Sequence, residues 1–244
     1  MKPKTPSKSS LQEINYQYYQ EHWKNACEYL EKSAGAKWYN YLIKKALDRA
    51  PKENIKTAHD IGCGVGNKTY FLSKLLSGAT IVGSDFSEVG INEAKKHYSS
   101  KKLTYRVSNA QETSQKKVDL VSFFEVLEHV DDWRKVLTDT LKQTEARYVM
   151  IGGPTGKKYE GGIHTGHVLH FRRGQIEHFM EQAGYSKIRI MYAGFPFVSP
   201  IFRDLSHLLQ KQYAGFVQGQ QSRFQEIINS VWYILFRYAS STRA

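Results

Sequence analysis

A chain of 244 residues, 41% hydrophobic and 24% charged, is long enough for one sizeable α/β core with an elaboration and short for two full domains and a linker. No stretch approaches the roughly 18 to 20 unbroken apolar residues of a membrane span. The start lacks the apolar core of a secretory signal, and the only two cysteines, Cys27 and Cys63, allow at most one bridge, so a reducing cytoplasm is the expected location.

After a basic, Ser-rich head to about Ser10, residues 11–50 predict helix. Ile14, Tyr18, Trp23, Cys27 and Leu30, and later Trp38, Leu42, Ala46 and Leu47, approximate the 3.6-residue period. A break is expected near Ser33 to Gly35, and Pro51 closes the segment. Its aromatic stretch around Tyr18, Tyr19 and Trp23 reads either as a helix packed on the core or as a lid that excludes water from a site.

Short apolar runs then alternate with amphipathic ones. Strands are expected at 57–61, 80–85, 103–107, 118–124, 147–153 and 187–193, with helices near 67–76, 87–98, 131–142 and 173–183. Strand alternating with helix means βαβ units, hence a Rossmann-like, doubly wound, mostly parallel sheet. Beyond Phe195 two prolines and two helical patterns replace the alternation. The chain thus divides into a helical segment at 1–50, an α/β domain at 51–195 and a helical appendage at 196–244. The last helix is apolar over a wide arc (Ile227, Ile228, Val231, Trp232, Ile234, Leu235, Phe236) and is expected to be buried; an oligomer contact or a lipid-like surface are the other readings. No final strand is evident after it.

The strongest local signal is "HDIGCGVGNKT" at 59–69, where a strand ends at Asp60-Ile61, glycines stand at 62, 64 and 66, and a helix begins near Asn67. Glycines there let backbone N–H groups approach a ligand, and the helix start adds partial positive charge. The spacing fails the dinucleotide fingerprint, because the sixth position from Gly62 is Asn67, and it fails the P-loop pattern as well. Asp85 closes the second strand, where a carboxylate accepts hydrogen bonds from ribose hydroxyls, which implies a nucleoside with an unphosphorylated ribose.

Together "DIGCGVG", "VGSDFS" and "FFEVLEHV", in this order, resemble the successive motifs of class I S-adenosylmethionine-dependent methyltransferases, and "EVLEHV" most resembles ubiquinone-biosynthesis O-methyltransferases and related small-molecule enzymes. The resemblance implies S-adenosyl-L-methionine as cofactor, with S-adenosyl-L-homocysteine as product. It implies that Asp60, Gly62, Gly64 and Gly66 line the methionine and ribose portion, Asp85 the ribose hydroxyls and Phe86 the adenine face. Asn109 and Ala110 would meet the adenine edge, although the family often has Asp where Asn109 stands, and the backbone at Phe124 and Glu125 would close over the methionine end.

Past the apolar strand, Glu125, Glu128 and His129 cluster within one helical turn. His129 is a candidate general base. Glu128 can instead accept backbone N–H groups, and both can act with His167, whose loop follows the fifth strand and faces the same pocket. A divalent cation held by these groups is a competing reading, seen in small-RNA 2'-O-methyltransferases that share the E-x-x-E-H pattern; no metal is assigned on the sequence alone. The expected catalytic residues are therefore His129, Glu128 and His167.

The function expected is methyl transfer to a small-molecule acceptor, at an oxygen, with a homo-oligomer or a peripheral membrane contact left open. The rivals are an RNA 2'-O-methyltransferase and a non-catalytic S-adenosylmethionine-binding protein. The formal charge of +12 is scattered in short pairs such as Lys44-Lys45 and Lys101-Lys102, which argues against a nucleic-acid partner.

Overall fold

The computed structural model describes residues 19–20, 23, 26–110, 117–156, 166–202, 223–239 and 241–243. Five strands form one parallel sheet: β1 (Thr57–Ile61), β2 (Thr80–Asp85), β3 (Leu103–Val107), β4 (Leu120–Phe124) and β5 (Tyr148–Gly152), in the order β3-β2-β1-β4-β5. β1 registers Ala58 against both Ile81 of β2 and Leu120 of β4. The chain leaves β1 toward one edge and later returns to its other side, so the strand order reverses between β1 and β4. In such sheets the ligand crevice lies outside the carboxyl ends of the strands at that reversal.

All five residues of β4 are buried, as are four of five in β1. Successive side chains point to opposite faces, so both faces of these two strands are covered. Four helices connect or follow the strands. Numbered after two earlier helices, α1 (Ala26–Lys32) and α2 (Ala34–Leu47), they are α3 (Asn67–Leu75), α4 (Glu88–Tyr98), α5 (Trp133–Thr144) and α6 (Gln175–Gln182). Their starts are legible in the residues: Ser33 caps α2 through Ala36 N at 3.2 Å, Ser87 caps α4 through Gly90 N at 3.1 Å, and Asp132 caps α5 through Lys135 N at 3.0 Å. Trp133 joins α5 to α6, with its ring 5.1 Å from Phe179 and 5.5 Å from Phe171.

The fold divides into two compact units, one made of 1–24 and 53–184, the other of 25–52 and 185–244. The second unit contains α1, α2, the short antiparallel strands β6 (Tyr192–Phe195) and β7 (Ser241–Arg243), a π turn at Phe197–Phe202, and α7 (Arg223–Ile234), which continues as a π turn at Leu235–Ala239. Two expectations change here. The strand expected at 187–193 is confined to Tyr192–Phe195: the alternation of Ile188 and Ile190 with Lys187 and Arg189 gives a half-buried extended chain, but it has no ladder partner among the described residues. A final strand does exist, too short to leave a pattern.

Within the second unit α7 is held against α2. Phe236 is 1% exposed and meets Trp38 edge-on at 6.2 Å, Lys32 pairs with Glu226 at 2.8 Å, and Asn229 Oδ1 accepts from Ala34 N at 3.3 Å. The wide apolar arc expected to be buried is so only in part: Phe236 is buried and Trp232 and Leu235 are half-buried, whereas Ile227, Ile228, Val231 and Ile234 are exposed, as are Phe224 and Tyr238 beside them.

In the sheet, His59 of β1 is 0% exposed, with Nε2 2.8 Å from Ser84 Oγ and no partner for Nδ1 among the described residues. Burial, reinforced by the charge on Arg106, lowers its imidazole from 6.5 to about 4. The unfolded chain therefore binds this proton more tightly than the fold does. Stability from this site is fully present above pH 6.5 and is lost as pH falls through about 4, by up to about 3 kcal/mol. Urea unfolding at several pH values should show wild type losing more stability between pH 7 and pH 4.5 than His59→Asn does; parallel profiles would contradict this.

Candidate active site

The crevice is assembled from the carboxyl ends of β1, β2 and β4. After Ile61 the chain turns through Gly62, Gly64 and Gly66, with φ of 73°, 53° and 80°, a left-handed region that other residues enter at a cost. A Cβ on Gly62 would lie 2.4 Å from Val126 Cγ2, and one on Gly66 would lie 2.7 Å from the Tyr105 ring. Gly62 N and Cys63 N donate to Ser84 O at 2.7 and 3.0 Å, which ties the loop to β2. Cys63 itself is a buried free thiol whose pKa burial pushes up, which fits packing rather than reactivity.

Asp85 completes the tie. Its Oδ2 accepts from Gly64 N at 2.8 Å and its Oδ1 from Ser87 N at 2.8 Å. Burial raises this carboxyl's pKa, opposed by the same N–H groups. Each carboxylate oxygen has lone-pair capacity beyond one bond, so Asp85 can hold the loop and still accept from a diol. Phe86 follows at 40% exposure and Val107 ends β3 at 52%, leaving apolar surface open beside the loop, with Asn109 and Ala110 just beyond β3.

Asp60 lies beneath the loop. It is 1% exposed, with Oδ1 accepting from Ser122 Oγ at 2.7 Å and Oδ2 from Thr69 Oγ1 at 2.6 Å. Burial raises its pKa to about 6 against those two hydroxyls. These bonds join β1, β4 and α3, so the side chain forms the floor of the loop.

At the end of β4, Phe124 is buried and Glu125 turns with φ of 61°, its N–H donating to Gly152 O at 2.9 Å. A short 3-10 turn at Leu127–His129 follows. Glu128 is 0% exposed, and neither of its carboxylate oxygens has a hydrogen-bond partner among the described residues. Burial first, and the neighbouring Glu125 second, push its pKa well above the usual carboxylate range. His129 Nε2 is 3.9 Å from Glu128 Oε1, and burial lowers its imidazole to about 4.

His167 arrives by a backbone device. The carbonyl of Glu128 accepts from Val168 N at 2.8 Å and Leu169 N at 3.3 Å, which draws the segment after β5 onto the 3-10 turn. The rings of His129 and His167 then meet edge-on at 4.7 Å, and His167 Nδ1 is 3.0 Å from His170 Nε2. Glu128, His129 and His167 each offer one ligand atom within 4.8 Å of the others. The chemistry of this set and the two orphaned Glu128 oxygens fit a divalent cation. His164, three residues before His167, lies outside the described residues.

Three residues, Tyr19, Trp23 and Lys68, reach the loop or its rim without having been assigned a role from the motifs. Tyr19 Oη is 3.2 Å from His129 Nε2, its ring 6.2 Å from that of Phe86, while the Trp23 ring would be 2.9 Å from a Cβ on Gly64. The N-terminal aromatic pattern pointed to Tyr19 and Trp23; Tyr18 lies outside the described residues. Lys68 donates to Phe124 O at 3.4 Å, and its charge lowers the pKa values of Asp60, Glu128 and His129. Its only signal was a failed P-loop reading of "GNKT".

Glycine loop, ribose-type carboxylate and β4 rim coincide with a known domain. The family model described as a methyltransferase domain matches residues 59–144. The central part of the chain is therefore similar to a methyltransferase domain. The ubiquinone biosynthesis O-methyltransferase of Bartonella quintana is 36% identical over 105 residues, 41% of each chain, and that of Pelagibacter ubique is 34% identical over 115 residues, 45% of this chain and 47% of the other. The match thus spans less than half the length of these curated relatives. Among solved structures, magnesium protoporphyrin IX methyltransferase from Synechocystis PCC 6803 with bound S-adenosylhomocysteine superposes with a TM-score of 0.57 at 18% identity, covering 75% of this chain and 93% of that one. That likeness is one of fold.

In the glycine loop Gly62→Ala should be among the costliest small substitutions. It places a methyl group against Val126 in a left-handed backbone, so thermal unfolding should report a loss of at least ~1 kcal/mol. An unchanged midpoint would show that the loop relaxes freely.

Proposed function

We propose that this chain transfers a methyl group from S-adenosyl-L-methionine to a hydroxyl oxygen of a small-molecule acceptor. The observation that carries the reading is the cradle at β1 and β2: three left-handed glycines whose Cβ positions are occupied, held by a buried Asp85 beside exposed Phe86. The glycine-loop N–H groups and Asp85 suit the ribose and methionine portion, and Phe86 with Val107 suits an adenine face. The rim of Glu125, Glu128, His129 and His167 then borders the reacting carbon. Bound there, the cofactor would supply a methyl carbon on a cationic sulfur, open to in-line displacement, and leave as S-adenosyl-L-homocysteine.

The chain's own contribution is placement, exclusion of water and proton handling. Tyr19 and Trp23 cover the loop and the rim. His129, neutral at pH 7 because burial holds its imidazole near 4, is in the form that accepts a proton from the acceptor hydroxyl. Burial holds the Glu128 carboxyl well above the usual carboxylate range, and its Oε1, 3.9 Å from His129 Nε2, would stabilise the imidazolium on giving up its own proton, an ionisation that the Lys68 charge favours. The small-molecule class and the oxygen draw support from the ubiquinone O-methyltransferases matched above.

A second reading rests on the orphaned Glu128 oxygens. Glu128, His129 and His167 would hold a divalent cation, which would lower the acceptor hydroxyl's pKa as a Lewis acid. With the base reading, activity survives chelation; loss on chelation and recovery with added Mg²⁺ or Mn²⁺ would replace it by the metal reading.

Calorimetry should detect S-adenosyl-L-methionine binding by the full chain and a loss of about tenfold or more in Asp85→Ala, the cost of removing charge-assisted hydrogen bonds. Absence of binding by wild type would overturn the cofactor assignment. His129→Ala should keep that affinity and lower kcat by about 10²- to 10⁴-fold. Lost affinity with undiminished turnover per bound cofactor would remove His129 from the chemistry.

A further inference from the structure

The second unit carries a surface that methyl transfer does not use. On α7 and its π-turn extension the exposed apolar residues are Phe224 (69%), Ile227 (62%), Val231 (53%), Ile234 (55%) and Tyr238 (73%). They follow one another at steps of three, four, three and four, and Ile228, 36% exposed, widens the stripe to an arc of roughly 120°. The opposite side is committed: Phe236 to Trp38, Glu226 to Lys32, Asn229 to Ala34 N. The helix is thus fixed to its unit by its more polar side, with its most apolar side outward.

Charge stands beside the stripe. A cleft of about 260 Å³ is lined by Tyr41, Lys44, Lys45, Asp48, Arg49 and Arg237, four cations against one acid. That acid is already engaged by Lys44 and, at 2.9 Å, by Lys52, and its pKa is lowered accordingly. The Arg237 guanidinium lies 5.0 Å from the Tyr41 ring centre and 5.1 Å from that of Tyr238, so cleft and stripe adjoin through consecutive residues. The whole unit holds thirteen Lys/Arg against five Asp/Glu, while the larger unit holds twenty-two against eighteen.

We propose that α7 and the cleft beside it dock on an anionic phospholipid bilayer, with the apolar stripe in the interface and the cleft on headgroup phosphates. An apolar arc alone would suit several occupants; the adjoining cations select this one. A second copy of the chain could match the helical spacing, but it would bring two excess-cationic units together, which like-charge repulsion opposes. Among the described residues no helix is long and apolar enough to cross a membrane, so the helix lies in the surface plane. Apolar insertion and basic charge are the two signals that stable peripheral attachment requires. The proposal is independent of the methyl-transfer reading.

Sedimentation of the full chain with vesicles tests it, using phosphatidylcholine alone and phosphatidylcholine with about one third phosphatidylglycerol. Wild type should bind the mixed vesicles, release as salt is raised, and leave the neutral ones. Ile227→Glu/Val231→Glu, which changes outward side chains only, should weaken binding at least about tenfold with an unchanged unfolding midpoint. Lys45→Gln/Arg49→Gln, which leaves the stripe intact, should weaken it and flatten the salt dependence. No binding by wild type, or equal binding by both variants, would overturn the proposal. So would sedimentation equilibrium showing a dimer that the apolar variant dissociates, or Ile227 and Val231 protected from solvent labelling in the vesicle-free monomer, which would assign the stripe to another segment of the same chain.

Discussion

Two hydrogen bonds to one buried carboxylate hold the glycine loop in shape. Asp85 takes Gly64 N on one oxygen and Ser87 N on the other, each at 2.8 Å, and so clamps the turn after β1 to the turn after β2. Each charge-assisted bond is worth about 1.5–3 kcal/mol, enough to keep three consecutive alternate residues in a left-handed backbone that would otherwise be one option among several. With the turn fixed, α3 begins at Gly66 and α4 at Ser87, and both helix starts face the crevice where the strand order reverses. Asp60 supports the same turn from below through Ser122 and Thr69.

The β4 rim works by the opposite electrostatics. Asp85 is surrounded by donors, whereas Glu128 is buried with none among the described residues, beside an imidazole that burial keeps neutral. In a low-dielectric rim, a carboxyl whose pKa burial raises and an imidazole that burial keeps neutral both respond to a charge arriving nearby. Lys68 biases the balance by disfavouring a second positive charge on His129 and favouring ionisation of Glu128. Glu125 contributes a strained left-handed residue at the point where β4 ends, a position where irregular backbone commonly accompanies a site.

What the sequence made legible was local. Strands buried on both faces leave continuous apolar runs and the glycines mark the turn after β1, so the first five of the six expected strands and the cradle at 59–69 could be read from residues within a few positions of one another. Less legible were features set by distant partners. The approach of His167 to His129 depends on the Glu128 carbonyl accepting Val168 N, a bond between backbones about forty residues apart that no side-chain pattern encodes. The extended run at 187–191 has strand-like alternation but no ladder partner among the described residues, and the apolar arc of α7 looked like core because periodicity reports which side is apolar, not which way it faces.

The central claim is that the Asp85 clamp and its glycines form a site for S-adenosylmethionine with the β4 rim at its reactive end. A crystal structure of the full chain with S-adenosylhomocysteine tests it most directly. The account places the ribose hydroxyls within hydrogen-bond distance of the Asp85 carboxylate, the adenine against Phe86 and the sulfur facing Glu125 to His129. Ligand bound elsewhere, or bound with Asp85 out of reach of the ribose, would contradict it.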